Sequence, residues 1–481
     1  MDTDVNRPES APTGALPSAE TEPLERRLLA TALVVVLGMA MTGLDMTAVN
    51  VALRRLSGDF GASITTVQWV ATAYTLALAA VIPVTAWAIG RFGTRRLYFA
   101  SVGAFLAGSV LCGMAWSVES LIAFRVVQGI GGGMIMPVGM TIMTRRAGNQ
   151  VPRIMAIVGV PMQLGPMLGP LVGGWLVDAA SWRWIFYLNL PFAVLALVLA
   201  SRFLDHGDAQ PGKPLDLVGL VLLSPGLSAL LYGLTTGAHR GDFGSVSAAL
   251  PTAVGAALAV AFVVHALRSR NPLIDLRLLR RPSVRASGGA LVLFMCGFFG
   301  MLLLAPLYFQ TVRGESAMAT GLLMLPQGVG TLATMPVCGR LLPRVGPRRL
   351  LLSGLSLSAI GLGAFAVQVG AGADAPVWGL GAALFVTGTG MGFTMMPTMS
   401  SAVSGLPQEE IPAASTMLAI TQQVGASIGT AFLSLILARS LAGQAAADAP
   451  DAFQVGYAAG IAILLLALLP ATRVARSLTP P

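Results

Sequence analysis

Charged residues are scarce in this sequence of 481 residues, since aspartate, glutamate, lysine and arginine together make up 11% of it. A soluble domain normally needs about a quarter of its residues charged. Hydrophobic residues instead reach 55% of the chain. This composition excludes a soluble protein and predicts a polytopic membrane protein.

Cysteine and histidine are also rare, with three of each. The three cysteines, at positions 112, 296 and 338, fall within apolar segments, and their odd number predicts no disulfide framework. The histidines, at 206, 239 and 265, are too scattered to suggest a metal site. No H-E-x-x-H motif and no phosphate-binding loop occurs, so we expect no metal, no nucleotide drive and no enzyme.

Apolar segments of roughly 20 residues follow one another along the chain, and this length crosses a hydrocarbon core about 30 Å thick. Lipid offers a backbone no hydrogen-bond partner, so each segment should be a transmembrane helix. The fourteen predicted spans lie near residues 28–51, 65–89, 97–117, 120–143, 154–177, 184–203, 216–235, 248–267, 286–309, 319–339, 350–370, 377–399, 412–437 and 453–472. The predicted fold is therefore all-α and polytopic.

The distribution of basic residues supports this number of spans. With the N-terminus in the cytoplasm, 23 of the 30 lysine and arginine residues fall in cytoplasmic segments. Cytoplasmic loops of membrane proteins carry such an excess, and a missed helix would invert the bias in all later loops. Both termini are therefore predicted to be cytoplasmic. The net charge of +9 follows from this topology better than from nucleic-acid binding.

Two loops carry nearly the same sequence: RFGTRRL (Arg91–Leu97) follows the second span and RVGPRRL (Arg344–Leu350) follows the tenth. If residues 216–267 are inserted helices, the repeat distance is six helices, and the core consists of two related halves. The predicted organisation is a disordered cytoplasmic tail (1–27), an N-terminal six-helix half (28–204), a cytoplasmic linker (205–215), two inserted peripheral helices (216–267), a basic cytoplasmic loop (268–285), a C-terminal six-helix half (286–474) and a cytoplasmic tail (475–481).

Two charges lie deep within predicted spans, Asp45 in the first and Arg125 in the fourth. Both lie about 10 Å inside the external boundary, at roughly 1.5 Å per residue. Charges within a membrane normally pair with each other or face an aqueous cavity. One interpretation is a structural ion pair. The other is proton exchange at Asp45, because Arg125 favours the ionised carboxylate while burial favours the neutral acid.

Four segments resemble motifs of the fourteen-helix drug:proton antiporters of the major facilitator superfamily. They are LDMTAVNVAL (Leu44–Leu53), RVVQGIGGG (Arg125–Gly133), GVPMQLGPMLGPLVGG (Gly159–Gly174) and WRWIFYLNLP (Trp182–Pro191). The resemblance covers nearly all of the chain beyond the N-terminal tail. It implies the major facilitator fold, alternating access, the proton as coupling ion and a location in the bacterial cell membrane.

The loop after the second span departs from the family pattern. Ala86 and Gly90 stand where the family usually has a glycine and an acid, so the charge relay that this acid serves in the family is in doubt here. The basic cluster remains. The residues assigned to gating in the two repeated loops are Arg91, Gly93, Arg95, Arg96, Arg344, Gly346, Arg348 and Arg349.

Glycines recur every four residues in the fifth span and should form a smooth face that lets another helix approach closely. The prolines between them should bend this helix. The gating or structural residues assigned here are Gly165, Pro166, Gly169, Pro170 and Gly173. They act either as a packing seam alone or by shaping and sealing the cavity.

Several residues within the predicted spans are candidates for contact with a substrate. Amides in a membrane need water, a ligand or another helix, so Gln163, Gln327, Gln422 and Gln423 either join helices or bind substrate. Aromatic and methionine side chains can form an adaptable apolar wall, although packing or lipid contact is the alternative. These candidates are Tyr74, Met136, Met162, Phe294, Phe298 and Met324.

The sequence therefore predicts proton-coupled export of amphipathic, cationic or zwitterionic organic compounds from a bacterial cytoplasm. A second interpretation is a dedicated exporter of one endogenous metabolite or lipid-like molecule. A polytopic membrane enzyme or sensor is a third, which the lack of a catalytic motif and of a soluble output domain disfavours. The expected partners are a small-molecule substrate, protons and membrane lipids, without nucleic acid, an obligate protein partner or a cofactor.

Overall fold

The computed structural model describes residues 26–147, 168–169, 171–205, 214–404, 406–441 and 449–474. Within these ranges the chain is almost entirely helical and contains no strand, which confirms the all-α prediction. Thirteen helices among the described residues are long and apolar enough to cross a membrane. The predicted fifth span, 154–177, lies mostly outside these ranges, and residues 168–169 and 171–179 of this region are helical.

The first half begins with one long helix that runs beyond its predicted end at residue 51. Its helices are α1 (Arg26–Phe60), α2 (Ile64–Val67), α3 (Trp69–Val81), α4 (Thr85–Phe92), α5 (Thr94–Gly113), α6 (Val118–Ala147), α7 (Arg183–Tyr187) and α8 (Asn189–Phe203). A 3-10 turn, Ile82–Val84, divides the second span into α3 and α4. Pro83 lies in this turn, and a proline has no backbone N–H for the helical ladder.

The second part of the chain contains two further helices and then the second half. The helices are α9 (Leu217–Arg240), α10 (Val246–Arg268), α11 (Pro282–Thr311), α12 (Ala317–Val345), α13 (Pro347–Val369), α14 (Val377–Val403), α15 (Ile411–Leu441) and α16 (Ala449–Ala471). Short 3-10 segments, Leu276–Arg280 and Gly372–Asp374, lie in two of the connections.

Equivalent helices pair in the same way in the two halves. The pairs α5–α6, α3–α6 and α1–α8 of the first half recur as α13–α14, α12–α14 and α11–α16 of the second. The glycine seams recur as well, because Gly173 lies against Ala48 of α1 while Gly429 lies against Cys296 of α11. The core helices that the structure describes therefore form two units of one design.

The helices α9 and α10 pack against each other outside these two units. On its other side α9 contacts α3 of the first half and α15 of the second, so it covers part of the boundary between them. Trp69 stacks on Tyr232 with ring centroids 5.4 Å apart, and Ser228 Oγ donates to Leu76 O at 3.3 Å. The outer face of α10 is exposed, as at Val260. The exact boundaries 216–267 stay a prediction.

Most arginines of the described loops lie at one end of the bundle, which we call the arginine-rich end. It comprises residues 91–96, 145–146, 201–205, 268–285, 340–349 and 406–410. Here the two halves meet, since α4 and the 82–84 turn contact α15. Arg145 Nη2 donates to Gln408 O at 3.3 Å across the boundary. The halves are thus joined at the arginine-rich end.

Candidate functional site

An ion pair between α1 and α6 lies in the interior of the first half. Arg125 Nη1 donates to Asp45 Oδ2 at 2.6 Å. Among the described residues, these two alone combine a charge with nearly complete burial, at 0% exposure for Asp45 and 1% for Arg125. Burying two charges is costly unless additional hydrogen bonds satisfy their remaining polar atoms. Whether this ion pair is stable therefore depends on the other hydrogen-bond partners of Asp45 and Arg125.

Asp45 accepts two further hydrogen bonds, both at Oδ1. Gln128 Nε2 donates at 2.9 Å, and Asn189 Nδ2 donates at 3.0 Å. One guanidinium and two amides thus surround the carboxylate, and all three are donors. Both carboxylate oxygens therefore have hydrogen-bond partners, as a buried charge requires.

Arg125 is held on its remaining sides. Its Nε donates to Val70 O at 3.1 Å, and its Nη1 also donates to Gln128 Oε1 at 2.9 Å. The guanidinium carbon lies 4.0 Å from the centre of the Tyr74 ring and 5.7 Å from that of Phe186. A cation over an aromatic face is attracted to the ring quadrupole. The two rings therefore both bind Arg125 and exclude water from it.

Two residues of α5 form an outer layer around the ion pair. Ser109 Oγ accepts from Asn189 Nδ2 at 3.0 Å and donates to Phe186 O at 2.8 Å. Cys112 Sγ donates to Gln128 Oε1 at 3.5 Å. The polar network therefore joins α1, α5, α6 and α8 in the middle of an apolar half.

Local sequence explains how these side chains reach one point. Arg125 and Gln128 are three residues apart on α6, so they share a helix face. The segment Trp182–Pro191 supplies the other wall, where the buried Trp182 donates from Nε1 to Asp59 Oδ2 at 3.0 Å. The chain then forms the short helix α7, and after one further residue Asn189 begins α8.

The predicted substrate residues fall into three groups. Tyr74 is buried against Arg125 rather than against open space. Phe294 and Phe298 are also buried, and their rings stack with centroids 5.2 Å apart. The half-buried candidates are Met136, Met324, Gln327, Gln422 and Gln423. Met162 and Gln163 lie outside the described residues. Contact of any of these residues with substrate stays a prediction.

The repeated arginine loops have the same backbone in both halves, with Gly93 and Gly346 each preceding a helix at positive φ. Arg95 Nη2 donates to Ser201 O, the carbonyl near the end of α8, at 2.9 Å. The other loop arginines lie at the surface, exposed at Arg91, Arg96, Arg344 and Arg349 and half-buried at Arg348. Their gating role stays a prediction.

The described part of the glycine stripe packs against α1. A side chain added at Gly169 would meet Thr47, and one added at Gly173 would meet Ala48. Gly165, Pro166 and Pro170 lie outside the described residues. The face of the described glycines is therefore a protein contact and not a lipid contact.

Sequence reasoning missed Gln128, Asn189 and Ser109 as parts of this site. For Gln128 a signal was available, because it lies three residues after Arg125. Asn189 lies within the quoted segment Trp182–Pro191, but its contact with Asp45 spans 144 residues. Ser109 is one of many serines in apolar helices, and its sequence context carries no signal.

A separate cavity of about 450 Å3 opens at the arginine-rich end, between α4, the segments just before α9 and just after α10, and the start of α15. Its lining includes the charged residues Arg91, Asp216, Arg270 and Glu409. Neither Asp45 nor any of the predicted substrate residues that the structure describes lines it. Within the described ranges, no group of three His, Cys, Asp or Glu side chains is placed to hold a metal ion.

Comparison with known sequences gives a family and several relatives. The family profile described as Major Facilitator Superfamily matches residues 35–430. "Multidrug resistance protein B homolog" of Mycobacterium tuberculosis is 44% identical over 417 residues, covering 86% of this chain and 77% of the relative. "Probable actinorhodin transporter" of Streptomyces coelicolor is 32% identical over 455 residues, covering 92% and 78%. "Putative multidrug resistance protein MdtD" of Cronobacter sakazakii is 31% identical over 454 residues, covering 92% and 93%.

Solved structures with the same fold have little sequence in common with this chain. The human organic anion transporter MFSD10 (TETRAN) superposes with a TM-score of 0.65 at 16% identity, covering 94% of this chain and 100% of that one. The proton:xylose symporter XylE gives 0.61 at 14% identity, covering 92% and 95%. The apolar helices and the bacterial relatives make this a multi-pass protein of the bacterial inner membrane. From the profile match and the 44% identical relative, the chain belongs to the Major Facilitator Superfamily, whose members transport small molecules across membranes.

Proposed function

We propose that this protein exports amphipathic, cationic or zwitterionic organic compounds in exchange for protons. Two relatives that align with at least 86% of this chain are named as multidrug resistance proteins, which supports export of several drugs. The observation that supports proton exchange at Asp45 is the buried network around Asp45 and Arg125. No other carboxylate of the described residues is buried to this degree.

Proton exchange at Asp45 changes the network in a defined way. A proton on Oδ2 would face Arg125, and a proton on Oδ1 would face the amides of Gln128 and Asn189. Protonation therefore removes at least one hydrogen bond and leaves Arg125 buried without its counter-charge, which is unfavourable. The helices that hold these residues then separate or rotate. Proton binding thus drives the conformational change.

The available energy is sufficient for this cycle. One elementary charge that crosses 100 mV contributes about 2.3 kcal/mol, and a pH difference adds to it. For a substrate without net charge, one proton per cycle can therefore drive an accumulation of more than tenfold on the far side, since each 1.4 kcal/mol or so corresponds to a tenfold ratio. For a monovalent cation exchanged for one proton no net charge crosses the membrane, and the pH difference alone drives export.

The orientation of the bundle follows from its charges. Because cytoplasmic loops carry the arginine excess, the arginine-rich end faces the cytoplasm in our proposal. The contact between Arg145 and Gln408 then closes the cytoplasmic side. Gly90 replaces the usual acid of the neighbouring loop, and Arg145 and Arg95 donate to the backbone carbonyls of Gln408 and Ser201.

A dedicated exporter of one endogenous compound is the second candidate. The relative named as a probable actinorhodin transporter, 32% identical over 92% of this chain, favours it. A transport panel in inverted membrane vesicles distinguishes the two. Uptake of several unrelated cationic dyes under an imposed pH gradient supports multidrug export, whereas uptake of none of them supports the dedicated exporter.

Proton exchange itself is tested by proton release from detergent-purified protein in weakly buffered solution. A lipophilic quaternary ammonium dye is added to the wild type and to Asp45→Asn, and the pH of the solution is followed. We expect release from the wild type and none from Asp45→Asn. Equal release from both proteins would remove Asp45 as the coupling residue.

A further inference from the structure

We propose that Asn189 is a positioning residue that couples the protonation state of Asp45 to helix α8, an inference that rests on the proposed proton role of Asp45. Asn189 is the first residue of α8, and it is 1% exposed. Its Nδ2 lies 3.0 Å from both Asp45 Oδ1 and Ser109 Oγ. One amide group therefore holds the carboxylate and anchors the start of this helix.

The direction of each hydrogen bond is fixed by its neighbours. Ser109 has one hydroxyl hydrogen, and Phe186 O accepts it at 2.8 Å. Ser109 Oγ can therefore only accept from Asn189, so the NH2 group of Asn189 must face Ser109 and Asp45. Gln128 is oriented in the same way, because its Oε1 accepts from Arg125 and its Nε2 is left for the carboxylate.

The consequence is that Asn189 can hold Asp45 only while Oδ1 carries no proton. An amide NH2 has no lone pair with which to accept a proton from a neutral carboxyl group. When Oδ1 is protonated, the bond to Asn189 is lost and the start of α8 is released. When Asp45 is ionised, the bond holds α8 against α1.

The far end of α8 is held at the arginine-rich end. Ser201 O accepts from Arg95 at 2.9 Å, and Phe203 O accepts from Arg146 at 2.8 Å. Arg146 also pairs with Asp205 at 3.1 Å. The helix has 15 residues, so roughly 22 Å separates its ends at 1.5 Å per residue. It thus connects the Asp45 network directly to the loop arginines.

The test compares Asn189→Leu and Asn189→Ala with the wild type. Leucine keeps the approximate size of the side chain, and alanine removes it, while both remove the donor. We measure the pH midpoint of dye-induced proton release and expect it to rise by about one pH unit in both variants, as fits the loss of one hydrogen bond to a charged group. The matched control is Asn50→Leu, because Asn50 is exposed on α1 and bonds to its own helix at Met46 O.

A second readout follows the helix itself in the same proteins. Hydrogen–deuterium exchange of residues 198–205 is measured above and below the wild-type midpoint. We expect the exchange of this segment, once its rates are corrected for the intrinsic pH dependence of amide exchange, to depend on pH in the wild type and in Asn50→Leu. In both Asn189 variants this dependence should be lost, because the carboxylate no longer contacts α8.

The outcomes separate this inference from the proposed function. If Asp45→Asn releases as many protons as the wild type, the proton role of Asp45 fails and the inference fails with it. If Asp45→Asn abolishes release but both Asn189 variants keep the wild-type midpoint, only the inference is overturned. Each Asn189 variant is first checked by gel filtration, and only a variant with a monodisperse peak is used. An unchanged midpoint in one folded variant is enough to overturn the proposal.

Discussion

Gly93 and Gly346 have the same backbone conformation at equivalent points of the two halves. Their angles are φ 80°, ψ 158° for Gly93 and φ 84°, ψ 155° for Gly346. Each residue ends one helix and caps the next, at the turn between α4 and α5 and between α12 and α13. Side chains other than glycine rarely occupy this region, so the sequence repeat corresponds to one repeated turn.

Alanine at either position should destabilise the protein. We expect Gly93→Ala and Gly346→Ala each to cost about 1–3 kcal/mol, because the backbone must hold an unfavourable conformation or shift. The measurement is the thermal unfolding midpoint in detergent. Gly363→Ala is the control, since Gly363 lies within α13 with open space around it and alanine favours a helix interior. Unchanged midpoints for the two loop variants would show that these turns tolerate a side chain.

The fold could be predicted from the sequence because its main signals are local. The number of helices follows from the twenty-residue apolar segments and from the side of the membrane on which each arginine is expected. The repeat follows from the similar loops RFGTRRL and RVGPRRL. The pairing of Asp45 with Arg125 also followed, because their matching depth was readable from helix rise. These features of the fold depend only on the position of a residue along its helix and on its charge.

The rest of the site depends on helix rotation, which the sequence does not show. A helix that is apolar on all sides has no amphipathic pattern to indicate which face is buried in protein. The sequence therefore does not separate a cavity wall from packing for Phe294 and Phe298, which in the structure are stacked and buried. For the same reason nothing in the sequence of α8 indicated that Asn189 faces α1.

A leucine at Gly169 should reduce transport. In the structure a side chain at Gly169 collides with Thr47, so leucine would force the fifth helix away from α1. We expect the export rate of a cationic dye to fall at least severalfold, with destabilisation of about 1–3 kcal/mol from overpacking. Gly174→Leu serves as the control, because Gly174 has only an ordinary contact with Val51. Wild-type export by Gly169→Leu would contradict the packing of this seam.

The inserted helices should loosen in acid. Asp216 accepts from Gly219 N at 2.8 Å, His265 Nε2 at 2.9 Å and Leu273 N at 3.0 Å. Burial raises the pKa of Asp216, but these hydrogen bonds outweigh it, so the pKa lies below its ordinary value of 3.8. A depressed carboxyl pKa stabilises the folded state above the ordinary value, and this contribution disappears as the pH falls through the folded-state pKa.

Asp216→Asn should therefore lower stability at neutral pH by about 1–2 kcal/mol, since asparagine keeps one acceptor but loses the charge. The difference from the wild type should shrink as the pH falls below about 4, where the wild-type carboxyl also becomes neutral. The measurement is protease sensitivity of residues 269–275, which Asp216 holds through Leu273, between pH 7 and pH 3. Asp242→Asn is the control, because Asp242 lies in an exposed loop. A difference that stays constant with pH would contradict the role of the Asp216 charge.

The ion pair of Asp45 and Arg125 gives the most decisive prediction. Asp45→Asn should insert into the membrane in normal amounts, because asparagine has the shape of the protonated acid, but uphill export in inverted vesicles should be lost. Each single variant should lose stability, Arg125→Gln by about 3–5 kcal/mol, since each leaves one buried charge without its partner. Stability is measured by thermal unfolding, and export by dye uptake under an imposed pH gradient.

The double variant Asp45→Asn/Arg125→Gln separates a structural pair from a proton carrier. Both charges are then gone, and two amides can hydrogen-bond each other, so most of the stability lost in Arg125→Gln should return. Downhill movement of dye along its own concentration gradient should persist, because it needs no titrating group. Export against the gradient should remain absent, because no carboxylate is left at this site to exchange a proton. Recovery of uphill export together with stability would make the pair purely structural and would move proton coupling to another residue.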